Sequence, residues 1–186
     1  LRINSGGLIF NGATAPNLGA NVYFGTLGVP REALVYVRDG QSGVSTLSGS
    51  FTATNFSKSG PGTLFLSGTG NVMAPLSTAL YTMQINEGTV RFAGQSSVPS
   101  GGLLNVAPMD SGSLDLAGQS LTLAALGGNA AASAATGNVF NSGTAATLTV
   151  APQQGITSIF NGLISGNTAL RFAGVGSLTL GYNNTY

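Results

Sequence analysis

The sequence predicts an all-β fold, a solenoid of short strands wound in stacked coils. Three observations carry the prediction. Apolar residues alternate with small or polar ones at period two along almost the whole chain, glycine-flanked five-residue cassettes recur, and only 6% of residues are charged, against about 25% in ordinary globular domains. Alternation at period two is the signature of a strand with one buried face. The cassettes GTLFLSG (62–68), GTVRFAG (88–94) and GSLDLAG (112–118) follow one another at nearly even intervals, within the range that marks repeat architectures. Short strands between Gly, Asn and Ser turns also suit a sandwich or a barrel. The recurrence selects the solenoid, in which each cassette lies on the one below it.

In chain order, the residues expected to point inward are Ile9, Val22 with Phe24, Leu34 with Tyr36, Leu64 with Leu66, Ile85, Val90 with Phe92, Leu114 with Leu116, Leu121 with Leu123, Leu148 with Val150, Leu170 with Phe172, and Leu178 with Leu180. Helical spacing persists over no comparable window, because 29 glycines and frequent Ser, Thr and Asn weaken any helix they interrupt. The one helix-compatible stretch is GNAAASAATG, 128–137. Its alanines carry little apolar area to anchor so short a helix, so a protruding loop or single turn is expected there.

Stacking accounts for the low charge. Outward residues of a parallel ladder lie about 4.8 Å from their equivalents in the next coil, so a column of like charges repels while Thr, Ser and Asn can hydrogen-bond. Six Lys and Arg against five Asp and Glu leave a net charge of +1, which provides no electrostatic drive toward a nucleic acid or an acidic partner. The uncharged run from Asp115 to Arg171 is punctuated by Gly, Ser, Thr, Asn and Gln and never approaches the ~18 consecutive apolar residues of a membrane helix. Its strands are shorter than the ~10-residue strands of an outer-membrane barrel, and aromatics are sparse. No insertion of this segment into a membrane is expected. Cys and His are absent, which removes disulfides, thiolate chemistry and the commonest metal ligand and general base. The chain starts and ends within strand-like patterns without a signal segment and reads as an interior piece of something longer.

SGPGTLFLSGTGNV (59–72) and GVGSLTLGYNNTY (174–186) resemble the opening of the autotransporter-associated β-strand repeat, a glycine-flanked Thr-Leu-x-Leu strand followed by an Asn-Thr-Tyr turn. The second copy matches through Asn184, Thr185 and Tyr186; the first departs, with Gly70, Asn71 and Val72 in those places. The likeness continues through INEGTVRFAG (85–94), VPSGGLLNV (98–106), GSLDLAGQSLTLAALGG (112–128), NSGTAATLTV (141–150) and IFNGLISGNTALRF (159–172). The order is similar to one full repeat unit over 59–176, preceded by the divergent second half of another unit (1–58) and followed by the start of a third (177–186). The resemblance implies a right-handed parallel β-helix of about nine coils, roughly 40–45 Å long at ~4.8 Å per coil. It also implies a segment of a bacterial autotransporter passenger or large surface protein, serving export and extended stalks rather than chemistry.

Parallel β-helices also carry polysaccharide-degrading activities, so the ionisable residues need separate reading. Glycoside hydrolysis wants two carboxyls facing one bond, and the acids are Glu32, Asp39, Glu87, Asp110 and Asp115. Asp110 and Asp115 are close in sequence, but Asp115 lies between two inward leucines and Asp110 in the turn PMDSG, so both are expected as solvated acids. A lyase wants a Lys or Arg base; Lys58, in the junction SKSGPG, is expected in a solvated turn. Arg2, Arg91 and Arg171 are expected to break up an otherwise sticky surface. No phosphate loop, zinc signature or calcium nonapeptide occurs, and a serine nucleophile lacks an evident base. Most aromatics, including Tyr23, Phe51, Phe56, Phe65, Tyr81, Phe140 and Phe160, are expected in the core or plugging turns. Thr52 with Thr54 and Thr147 with Thr149 are too few for an ice-binding threonine ladder.

The expectation is a structural, non-enzymatic stalk or passenger segment outside the cell or on the bacterial outer surface. No catalytic residue, metal ligand or cofactor is expected. Its partners would be neighbouring coils of the same polypeptide or other copies stacked end to end, because bare strand edges invite pairing. The leading alternative is an adhesin that binds a glycan or surface protein through a lateral face, and a polysaccharide-degrading enzyme follows it.

Overall fold

The computed structural model describes residues 1–12, 14–38, 44–73, 81–100, 103–128 and 137–186. Among them the regular structure is strand, with a single 3-10 turn at Gln95–Ser97. Of the helix-compatible stretch 128–137, residues 129–136 lie outside the described residues. Apart from a small hairpin in which Gly25 opposes Pro30 and Thr26 opposes Val29, every described ladder is parallel.

Each turn visits three faces in the same order. The first face stacks Arg2–Ile3, Val22–Thr26, Phe51–Ala53 and Val72–Met73, and later coils supply Leu121–Leu123, Ala146–Val150 and Thr168–Phe172. The second stacks Leu8–Phe10, Ala33–Val37, Phe56–Ser59, the leading halves of Tyr81–Phe92 and Leu104–Asp115, and then Ala125–Leu126. Thr157–Phe160 and Ser177–Leu180 continue it. The third runs from Asn17–Leu18 through Ser45–Leu47, Thr63–Leu66, the trailing halves of the same two long strands and Asn138–Phe140 to Leu163–Ile164. The chain is therefore a β-solenoid.

The cassettes stack as their spacing predicts. Leu64 pairs with Val90, and Val90 with Leu114, so each interval between cassettes is a single turn. Other turns on the third face vary in length: the one from Leu18 to Leu47 takes in far more chain than the next, from Leu47 to Leu66. That ladder holds seven strands and so spans six turns, about 30 Å at ~4.8 Å per step. The expectation of about nine coils assumed a short turn of uniform length, and the longer loops leave room for fewer.

Packing follows the inward rows. Leu64, Val90, Leu114, Val139 and Ile164 form one column across five coils, and none has any exposed area. Each such side chain contributes about 1.5–3 kcal/mol on burial. Two inward assignments fail. Ile9, Leu34 and Tyr36 are 67%, 46% and 44% exposed, while Phe10, Ala33, Val35 and Val37 fill the core. The stretches LIF and ALVYV are apolar at every position, so period two has no phase in them. The next coil sets it, since Ala33 pairs with buried Phe56.

Asparagines sew the corners together. Buried Asn71 accepts from the Phe51 amide (2.9 Å) and donates to the carbonyls of Gly68 (2.9 Å) and Ser97 (2.8 Å). Asn141 accepts from Gly118 (2.8 Å) and Gly143 (3.1 Å) and donates to Thr144 and Asn167, both at 2.7 Å. One carboxamide, with both donors and acceptors, thus joins successive coils where the ladder turns away. Some corners admit no side chain at all: a Cβ on Gly112 would overlap the Ile85 carbonyl oxygen.

Candidate functional site

Two ionic groups expected in solvent are buried. Lys58 lies on the strand Phe56–Ser59 in the inward row, between Val35 and Ile85 of the adjoining coils, and has no exposed area. Its ammonium donates to the carbonyls of Gly60, Gly62 (2.5 Å) and Glu87 (2.7 Å). The turn it closes, Gly60-Pro61-Gly62, is tight and includes a proline without an N–H, and of its carbonyls that of Gly62 also accepts the Thr89 amide at 3.3 Å. Three ammonium protons meet three oxygens. The cradle is so close that a Cβ on Gly88 (φ +67°) would collide with Nζ. Burial lowers the Lys58 pKa to about 8, with the Glu87 carboxylate pulling it back up. The lysine is a corner staple rather than the solvated residue anticipated, and no approach for a substrate leads to it.

Asp115 corrects the second expectation. It does occupy the outward row, between fully buried Leu114 and Leu116, yet it has no exposed area. Oδ2 accepts from Arg91 Nε and from the Ser142 hydroxyl, both at 2.7 Å, and Oδ1 accepts from the amides of Ala117 (2.9 Å) and Ser142 (3.0 Å). Ala117, at φ +49°, closes an Asx turn over the carboxylate. Burial alone would raise this pKa; the bonds from Ser142 and Ala117 and the Arg91 charge outweigh it and hold the carboxyl below its ordinary value.

Glu32 is exposed on the second face, where it accepts the Ser57 hydroxyl. Glu87 and Asp110 lie at the corner between the second and third faces, Glu87 pairing with Ser111. Asp39 is outside the described residues. No group of three metal-ligating residues occurs among the described residues. Arg2 and Arg171 stand on the first face near opposite ends, and Arg91 on the third, so the arginines form no stripe. Phe24, Phe51, Phe56, Phe92 and Phe160 are buried as expected, with the rings of Phe51 and Phe56 5.1 Å apart. Tyr36 and Phe172 are exposed.

What the solenoid offers instead is its lateral surface, which opens where a side chain replaces the ladder. On the first face Gln95 accepts from the Thr122 amide (2.6 Å) and donates to its carbonyl (3.3 Å); beside it lies a cleft of about 470 Å³ reaching Val98, Leu104 and Ala151. On the second face the Ser158 hydroxyl accepts from the Leu126 amide (2.9 Å) and donates to its carbonyl (2.6 Å). A trough of about 320 Å³ runs past it over Gln84, Asn105 and Thr157. Sequence reasoning missed both, because each depends on residues a full coil apart that only the register brings together.

The class defined by these features is a β-solenoid with a polar, nearly uncharged outer surface. Comparison adds no family to it: no family model, curated protein or solved structure matches the chain.

Proposed function

We propose that this chain is a structural spacer, a stiff β-solenoid segment of a secreted or surface-displayed bacterial protein that holds other regions apart. The observation that carries the reading is the stacking of coils along a seven-strand ladder that runs without a break on the third face, with half-covered inward rows at both ends. Ile3, Leu8 and Leu18 in the first coil and Leu170, Leu178 and Leu180 in the last remain partly exposed although their rows belong to the core. Each end offers apolar side chains and a strand edge to a further coil, from the same polypeptide or from another copy. The ordered likeness to an autotransporter-associated repeat supports the surface location, and the near absence of charge suits stacking. No helix among the described residues is long and apolar enough to cross a membrane.

Electron microscopy with light scattering over a dilution series tests the reading. Rods longer than one chain that shorten on dilution are expected, and Leu178→Asp with Leu8→Asp should abolish them. Compact monomers at every concentration would remove the end-to-end part. A chain that bends freely in micrographs would remove the spacer itself.

A further inference from the structure

Three depressions join on the outer surface of the second face. The first, about 320 Å³, lies over Ile9, Leu34 and Tyr36 and shares Ser57 with the second, about 220 Å³. The second shares Thr82 and Gln84 with the trough of about 320 Å³ that reaches Thr157. Outward positions repeat once per coil, so the combined groove follows the stacking axis for about 30 Å at ~4.8 Å per coil.

Its chemistry is narrow. The single charged residue in the lining is Glu32, whose carboxylate already accepts the Ser57 hydroxyl. The remaining polar groups are hydroxyls and carboxamides, which can both donate and accept. Elsewhere carboxamides are committed to the backbone, as with Asn71, Gln95, Asn141 and Asn184. Gln84 is exposed and its carboxamide has no hydrogen-bond partner among the described residues; Asn105 on the adjoining coil has an enclosed Oδ1 that is likewise unbonded. At the other end Tyr36 presents an exposed ring beside Ile9 and Leu34.

We infer that this groove binds an extended neutral glycan laid along the solenoid axis. Hydroxyl-rich rings match the carboxamides and hydroxyls of the middle, and the apolar face of a sugar ring matches Tyr36. An anionic chain finds no cation in the lining, and a nucleic acid finds no phosphate contacts. An extended peptide seeks unpaired backbone edges; from Ile9 to Asn105 this surface is a paired sheet, and at the one open step the Leu126 amide and carbonyl are already taken by the Ser158 hydroxyl. The inference does not depend on the spacer role.

The test is titration of the whole chain with cellohexaose, maltohexaose and chitohexaose, following the Gln84 and Asn105 side-chain amides by NMR. Polygalacturonate and an uncharged Gly-Ser decapeptide serve as alternatives. The expected result is a saturable shift of both amides with at least one neutral hexasaccharide, while Asn71 and Asn141 stay in place. Gln84→Ala should weaken binding about fivefold and Tyr36→Ala about tenfold, with unchanged thermal melts because both side chains are exposed. The inference is overturned by no saturable shift with any hexasaccharide, by stronger binding of polygalacturonate or the peptide, or by affinities that neither substitution alters.

Discussion

The coils in the middle of the solenoid and the coil that ends it use the same local pattern. In GTVRFAG, Val90 and Phe92 are 0% and 1% exposed; in GSLTLG, at 176–181, Leu178 and Leu180 remain half-covered, and Phe172 on the preceding strand is 48% exposed. Backbone pairing is intact in both places. What differs is a second neighbour. A cassette has no core of its own, and its burial is completed by the coils on either side, as expected where stability is a sum of nearest-neighbour interfaces.

The sharpest way to break that comparison is truncation of the same side chain in both regions. Leu114→Ala, in the column closed on both sides, should cost about 4 kcal/mol in urea denaturation. Equal costs at Leu114 and Leu178 would show that position along the stack is irrelevant. Next in size is Lys58→Met, which takes the ammonium away from three buried carbonyls, of which that of Gly62 keeps the Thr89 amide, and should cost about 3 kcal/mol at neutral pH. The lysine titrates near 8 when folded and near 10.5 when unfolded, so between those values the unfolded chain holds the extra proton. Wild-type stability should therefore rise with pH across that window, by up to about 3 kcal/mol, a slope that the methionine variant lacks.

Asp115→Asn should cost about 2 kcal/mol at pH 7, because an amide nitrogen would face donors from Arg91, Ser142 or Ala117. Since the folded carboxyl titrates below its ordinary 3.8, its contribution is present above that pH and is lost as pH falls through the folded value. The gap between wild type and variant should close in acid. Smallest is Leu178→Ala, at about 1 kcal/mol, and amide exchange should be faster over 168–180 than over 104–115.

The fold was legible wherever alternation had a phase. Leu64 with Leu66, Val90 with Phe92, Leu114 with Leu116, Leu121 with Leu123 and Leu148 with Val150 all point inward as anticipated. Phase was lost in ALVYV, where only the neighbouring coil decides. Lys58 could have been placed by carrying period two onward from Phe56, which makes it an inward residue ahead of a Pro-Gly turn short of donors. Asp115 was given its row but not its cover, because Ser142 arrives from the next coil. Gln84 and Asn105 carried no local signal, since a carboxamide is unremarked until its neighbours are known to be bonded elsewhere.

The hydroxyl of Ser158 also has a mechanical meaning. Tension along the axis is shared by three ladders at most levels, but on the second face the step from Leu126 to Ser158 is held by one side chain instead of a strand pair. That level is a seam. Stretched between optical traps, the rod should part at this step or at the first-face step that Gln95 holds at Thr122 before the fully laddered coils yield, and Ser158→Ala should lower the rupture force at its own step without changing the others.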